Sequence, residues 1–148
     1  MSNIRNLSIS LDVAKEWYQQ GGDLKAIALQ VFDEYELQHL PKTWEEFCQL
    51  TNTPDIQSVG VPTDIIALMK LVKLRDYYCK GCKFEIGQSC FYIVNAIYED
   101  DNGGCFERIE YWDTEFYRTD KFTFPISSLI KEFIDNFKDL LILAKRYL

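Results

Sequence analysis

The chain holds a single histidine, His39. It stands beside Leu40 and Pro41 and near no serine or cysteine motif, so no nucleophile–base–orienter set can be assembled around it. It reads as a surface or helix-end residue. The G-x-G-x-x-G, P-loop and G-x-S-x-G patterns are missing too, which removes the usual phosphate cradles and the nucleophile elbow. Long apolar runs are absent. The longest, Leu140 to Ala144, is far too short to cross a bilayer, and no membrane association is expected. Residues 1–10 carry neither a basic n-region nor an apolar h-region, so a cytoplasm with reduced thiols is the expected setting. The five cysteines are odd in number and cannot all pair within one chain. Positive charge is scarce: 16 Lys and Arg stand against 23 Asp and Glu, a net charge of −7. That balance argues against direct nucleic-acid binding, which requires phosphates to be neutralised. It suits solubility or contact with a basic protein surface. DNA mimicry is disfavoured because the carboxylates are scattered.

What the chain does hold is core-forming material. Its 148 residues are 47% hydrophobic and 15% aromatic. Such a length suits one domain (1–148) able to bury roughly 70% of its unfolded surface. Ser10 precedes a short helix stopped by Gly21-Gly22, Asp23 caps a second, and Asp33 opens a third that ends at Pro41. Thr43-Trp44-Glu45-Glu46 is a capping-box pattern. Residues 1–50 thus read as a helical N-terminal part and 51–62, with two prolines, as a loop. A long central helix is predicted over about 65–80, capped by Thr63 or Asp64, with Leu68, Leu71, Val72, Leu74 and Tyr78 on its apolar face. From Cys90 to Tyr98 the chain is apolar on both faces, as a central strand would be. Asp100-Asp101-Asn102-Gly103-Gly104 is a turn signal, and Cys105 to Trp112 is the partner strand. With the turn centred on Asn102-Gly103, Tyr98 should face Glu107 and Ala96 should face Ile109. Asp113-Thr114-Glu115 reads as a second turn before a third strand over 116–124. A final helix from Ser127 or Ser128 to about Arg146 carries an apolar arc that includes Phe133 and Phe137. The expected fold class is α+β: short N-terminal helices, a long central helix, and a three-stranded antiparallel meander packed by a C-terminal helix.

Few residues suggest chemistry. Cys79-Lys80-Gly81-Cys82 has the spacing of a zinc or redox turn. The cysteines that would complete a metal set, Cys90 and Cys105, lie roughly 30 Å apart along the hairpin. Cys79 and Cys82 also sit at a helix C-terminus, where no dipole lowers a thiol pKa. No metal and no cofactor are expected, and Cys79 and Cys82 are the weak alternative. Lys70, Lys73, Lys80 and Lys83 form a partial basic stripe; it reads as a solvated helix face, with a small phosphate-bearing ligand as the alternative. Glu107 and Glu110 fall on opposite strand faces and make a poor acid/base pair. The acidic turn lacks the spacing and distal glutamate of a calcium loop. The aromatic strands are assigned to core packing beneath the last helix, not to base stacking. Ile142 and Leu143 fall outside that helix's apolar arc and are candidates for partner contact or self-association.

Two groups of segments carry a resemblance. Leu11-Asp12-Val13-Ala14-Lys15-Glu16-Trp17-Tyr18, Ala28-Leu29-Gln30, Glu36-Leu37 and Pro41-Lys42-Thr43-Trp44-Glu45-Glu46-Phe47 form one. Lys73-Leu74-Arg75-Asp76-Tyr77-Tyr78, Glu132-Phe133, Asn136-Phe137-Lys138-Asp139-Leu140 and Ala144-Lys145 form the other. Together they resemble small uncharacterised proteins of phages and prophages of Bacteroides-type gut bacteria. The resemblance implies a setting, the bacterial cytoplasm or the virion, and transfers no functional residues. Three function classes follow. The first and favoured one is a non-enzymatic accessory protein that binds a host or phage protein or a small ligand, as an antagonist of host defence would. The others are a minor structural or packaged virion component and an enzyme acting on nucleotides.

Overall fold

The computed structural model describes residues 8–82, 84–115 and 122–148. The chain divides into two compact units, Met1–His39 and Leu40–Leu148.

The first unit is built from short helices with tight stops. Ser10 caps α1 (Leu11–Gln20) by accepting the Val13 N–H at 3.3 Å. Gly21, at φ +75°, turns the chain directly into α2 (Gly22–Val31), a conformation that costs glycine little. Asp33 opens α3 (Glu34–Leu37), where the Glu36 carboxylate reaches back to the Asp33 N–H at 2.9 Å. Ala14, Ala28 and Leu37 form a small buried core, flanked by Ile9, Trp17, Tyr18 and Phe32.

The second unit begins with α4 (Trp44–Thr51), capped by the Thr43 hydroxyl on the Glu46 N–H at 3.1 Å and closed by Asn52 in the left-handed region. The central helix, α5 (Thr63–Tyr78), starts two residues earlier than expected. Pro62 precedes it, and neither Thr63 nor Asp64 is its cap. It buries Ala67, Leu71, Leu74 and Tyr78, while Val72 is exposed. The expected apolar face is therefore incomplete, because α5 serves two neighbours. It packs mainly on the last helix, and toward α4 it sends Tyr77 edge-on to Phe47 and Lys70 over the Trp44 ring.

β1 (Ser89–Glu99) and β2 (Cys105–Glu115) form a long antiparallel hairpin, and β3 (Thr123–Phe124) completes a three-stranded antiparallel sheet. The α+β class is as expected, but the sheet order is β2-β1-β3, not that of a meander. Of the predicted third strand, 116–121 lie outside the described residues. Thr123 and Phe124 pair with Tyr92 and Phe91 across β1, and the Arg75 guanidinium holds the Thr123 carbonyl at 3.0 and 2.8 Å. β1 is thus the central strand its two apolar faces implied. The residues predicted as a second turn, 113–115, instead extend β2.

The hairpin register differs by one residue from that expected. Tyr98 faces Phe106 and Ala96 faces Arg108. The loop is longer than a two-residue Asn-Gly turn. The Asp100 N–H donates to the Gly104 carbonyl at 2.8 Å, and the Gly103 N–H to the Asp100 carbonyl at 3.2 Å. Asp100 Oδ1 accepts the N–H groups of Asn102 and Gly104, and Gly103 takes φ +79°. This is the three-residue loop with a left-handed glycine. Cys105 now faces Glu99 and Cys90 faces Thr114. Nine residues of strand still separate Cys90 from Glu99, or about 30 Å, so the argument against a shared metal is unchanged.

The last helix, α6 (Ser127–Leu143), is kinked at Phe137 (φ −118°, ψ 24°) and followed by a 3₁₀ turn, Lys145–Tyr147. Ile126, and not Ser127 or Ser128, occupies its N-cap position. Phe133, fully buried, lies about 5 Å from the rings of Tyr78 (5.2 Å), Phe124 (5.0 Å) and Phe137 (5.0 Å). Tyr78 is buried as well. Its hydroxyl donates to the Pro41 carbonyl at 2.6 Å and accepts from Asn136 Nδ2 at 3.1 Å, so no polar atom of the ring is stranded.

Candidate binding surface on the open sheet face

Side chains alternate along a strand, so the hairpin presents two faces of different character. α6 lies against the face that carries Ile93, Asn95, Glu107, Ile109 and Tyr111. Lys145, just past the helix, pairs there with Glu107, which holds that carboxyl below its ordinary range. Two shallow hollows lie between helix and strand. One of about 290 Å³ is lined by Asn95, Ile109, Lys138 and Ile142 among others, and one of about 210 Å³ by Ile109, Glu110, Tyr111, Lys131, Ile134 and Asp135. Both are smaller than a typical small-molecule pocket of roughly 300–1,000 Å³.

The other face carries Tyr92, Tyr98, Phe106, Arg108, Glu110 and Trp112. The expectation that the strand aromatics all serve the core beneath the last helix is overturned here, because these rings sit on the side away from α6. Tyr98, Phe106 and Trp112 are 37%, 42% and 47% exposed. Tyr98 stacks on Phe106 with centroids 5.5 Å apart, and Trp112 meets Tyr92 edge-on at 6.3 Å. The Arg108 guanidinium lies 5.7 and 5.8 Å from the Tyr98 and Phe106 rings, and among the described residues it makes no ion pair. Glu110 ties the row together, accepting from the Tyr98 hydroxyl and from the Trp112 indole N–H at 2.7 Å. Those two donors hold the Glu110 carboxyl below its ordinary pKa, and the same hydrogen bond raises that of Tyr98. The rings are thus fixed in orientation before anything binds.

The residues singled out in the sequence fall elsewhere. Lys70 is engaged: it covers the Trp44 ring at 5.4 Å and lies 4.0 Å from Asp55, whose carboxylate accepts the Trp44 indole N–H at 2.7 Å. Lys73 and Lys80 are exposed, and Lys83 lies outside the described residues. Lys70 is thus half-buried and turned toward α4.

Cys79 is buried and Cys82 half-buried. Burial pushes the Cys79 thiol up to about 12, which keeps it protonated and unreactive. Among the described residues no group of three or more His, Cys, Asp or Glu side chains is placed to hold a metal. Glu107 and Glu110 do lie on opposite faces, and Asp100 is consumed as the hairpin's cap. Ile142 and Leu143 are 47% and 48% exposed, and Ile142 also lines the larger hollow beside β2. No described helix is long and apolar enough to cross a membrane.

The aromatic face was missed in sequence because composition shows aromatics at strand spacing but does not say which face a helix will cover. The chain matches no known family model, no curated protein and no solved structure.

Proposed function

We propose that the protein is a non-enzymatic binding protein that docks a partner protein on the outer face of the β1–β2 hairpin. The phage or prophage setting implied by the sequence resemblance would make that partner a host or phage protein. The observation that carries this reading is the row of exposed, pre-oriented rings, Tyr98, Phe106 and Trp112, with Arg108 among them. Aromatic side chains and arginine are the residues enriched at protein interfaces, because they bury much area with little loss of rotamer freedom. Arg108 further asks for a carboxylate or a carbonyl cluster on the partner.

Affinity capture from the native host, followed by titration of the purified partner, tests the proposal. Trp112→Ala and Phe106→Ala should each weaken the complex by at least about 2 kcal/mol, roughly 30-fold in Kd. Because the rings are exposed, thermal unfolding should shift little. Equal affinity of a Tyr98→Ala, Phe106→Ala, Trp112→Ala chain for its partner would refute this surface, and turnover of a nucleotide substrate would refute the non-enzymatic reading.

A further inference from the structure

One edge of the sheet is open. β2 runs for 11 residues, and among the described residues it pairs on one side only, with β1. It contains no proline to blunt it, and such an edge is a template for another strand.

The hydrogen bonds of the hairpin show which groups are unpaired. In an antiparallel ladder, facing residues alternate between pairs that exchange hydrogen bonds and pairs that do not. Asp100 bonds Gly104 at the closing end, and the Ile93 N–H turns the other way, to the Phe122 carbonyl at 3.2 Å. The β1–β2 bonds therefore belong to the even-numbered residues. On β2 the N–H and C=O groups of Cys105, Glu107, Ile109, Tyr111, Asp113 and Glu115 point outward.

We propose that two copies of this chain join through this edge, β2 antiparallel to β2, with Ile109 opposite Ile109. Five of the six outward residues then find partners: Ile109 with its own copy, Glu107 with Tyr111, and Cys105 with Asp113, while Glu115 falls beyond the paired stretch. Two bonds per exchanging pair make about ten in all. Between them fall the closer, non-bonded positions. Arg108 there meets Glu110 and Phe106 meets Trp112, each pair occurring twice by symmetry.

Charge selects this register. Shifting the symmetry point to Glu110 keeps the hydrogen-bond alternation but sets Glu110 against itself and Glu107 against Asp113. Shifting it to Arg108 sets two guanidiniums face to face. The charges on β2 thus disfavour both neighbouring registers and favour this one. That register also gives Arg108, which has no ion pair within the described chain, a carboxylate. On the α6 side, Ile134 and the 47%-exposed Ile142 lie beside Ile109, where a second copy's edge would shield them. The dimer's hydrogen bonds lie along the strand edge, but its cross-strand pairs draw on Phe106, Arg108, Glu110 and Trp112 of the proposed partner surface; Ile109→Pro, which alters only the edge, separates the two proposals.

Sedimentation velocity of the full chain should give a species near twice 17.4 kDa. Arg108→Glu and Glu110→Arg should each be monomeric alone, since each places like charges opposite. An equimolar mixture of the two should recover the dimer, because both 108–110 cross-strand pairs are then of opposite sign. Ile109→Pro should also be monomeric while keeping its circular dichroism, because the Ile109 N–H is not used within the hairpin.

Oxidation with diamide then reads the register directly. Asp113→Cys should form a disulfide dimer with Cys105 of the other copy, at the roughly 5.5 Å Cα separation of a bonded pair. Within one chain these positions are eight residues apart along a strand and cannot meet. A monomeric wild type overturns the proposal, including one that pairs only when a different protein is added. So does a dimer that survives both Arg108→Glu and Ile109→Pro, or one cross-linked through Glu115→Cys instead of Asp113→Cys.

Discussion

Phe133→Ala is the sharpest test of how the second unit is held together. Phe133 is fully buried and touches the rings of Tyr78, Phe124 and Phe137, so it joins α6 to both α5 and β3. Truncation removes a buried aromatic and leaves a cavity walled by three rings that are themselves anchored, which limits collapse. Phe→Ala changes in cores cost about 3–5 kcal/mol, and lost ring–ring contacts add about 0.5–1.5 kcal/mol each. The expected loss is therefore at the upper end, about 4–5 kcal/mol, against a total near 5–15 kcal/mol.

Phe137→Ala should cost less, about 3 kcal/mol. That ring touches two neighbours, Tyr78 and Phe133, and its backbone is already out of helical geometry. Urea unfolding followed by near-ultraviolet circular dichroism and tryptophan fluorescence measures both, with the midpoint moving at constant slope. At about 4 °C per kcal/mol, Phe133→Ala should lower Tm by roughly 15–20 °C. A loss below about 1 kcal/mol for Phe133→Ala, or a larger loss for Phe137→Ala, would refute this account of the core.

Tyr78→Phe leaves the Pro41 carbonyl and the Asn136 amide without their hydroxyl partner and should cost about 1–3 kcal/mol in the same unfolding assay. Thiol labelling of the native protein at pH 8 should modify exposed Cys105 at once and leave buried Cys79 and Cys90 until unfolding, as mass spectrometry of peptides would show. Because folding raises the Cys79 pKa from 9.0 to about 12, its contribution is complete below pH ~9. It is lost as the pH rises from there towards 12, so chemical stability should fall across that window, and Cys79→Ala should flatten the fall. Gly103→Ala forces a side chain onto φ +79° and should cost about 1 kcal/mol, while Asp100→Ala, which removes two hydrogen bonds from the same loop, should also weaken the hairpin by thermal melt.

Much of the local structure could be read from single residues, because its causes are local. Ser10 and Thr43 cap the helices they precede, and Gly21 ends α1. β1, apolar on both of its faces, reads as a central strand and is the middle strand of the sheet. Other features needed contacts between residues far apart in sequence. The sheet order rests on two residues, Thr123 and Phe124, reaching across β1, and on Arg75, 48 positions away, gripping the Thr123 carbonyl. The register turned on which atoms Asp100 bonds in the loop, a choice between two turns that the same five residues allow. Helix periodicity could not show that α5 serves α4 as well as α6, with Lys70 lying over the Trp44 ring. The aromatic row at Tyr98, Phe106 and Trp112 follows the same rule. Alternation assigns these rings to one face, but only the placement of α6 against the opposite face leaves them exposed.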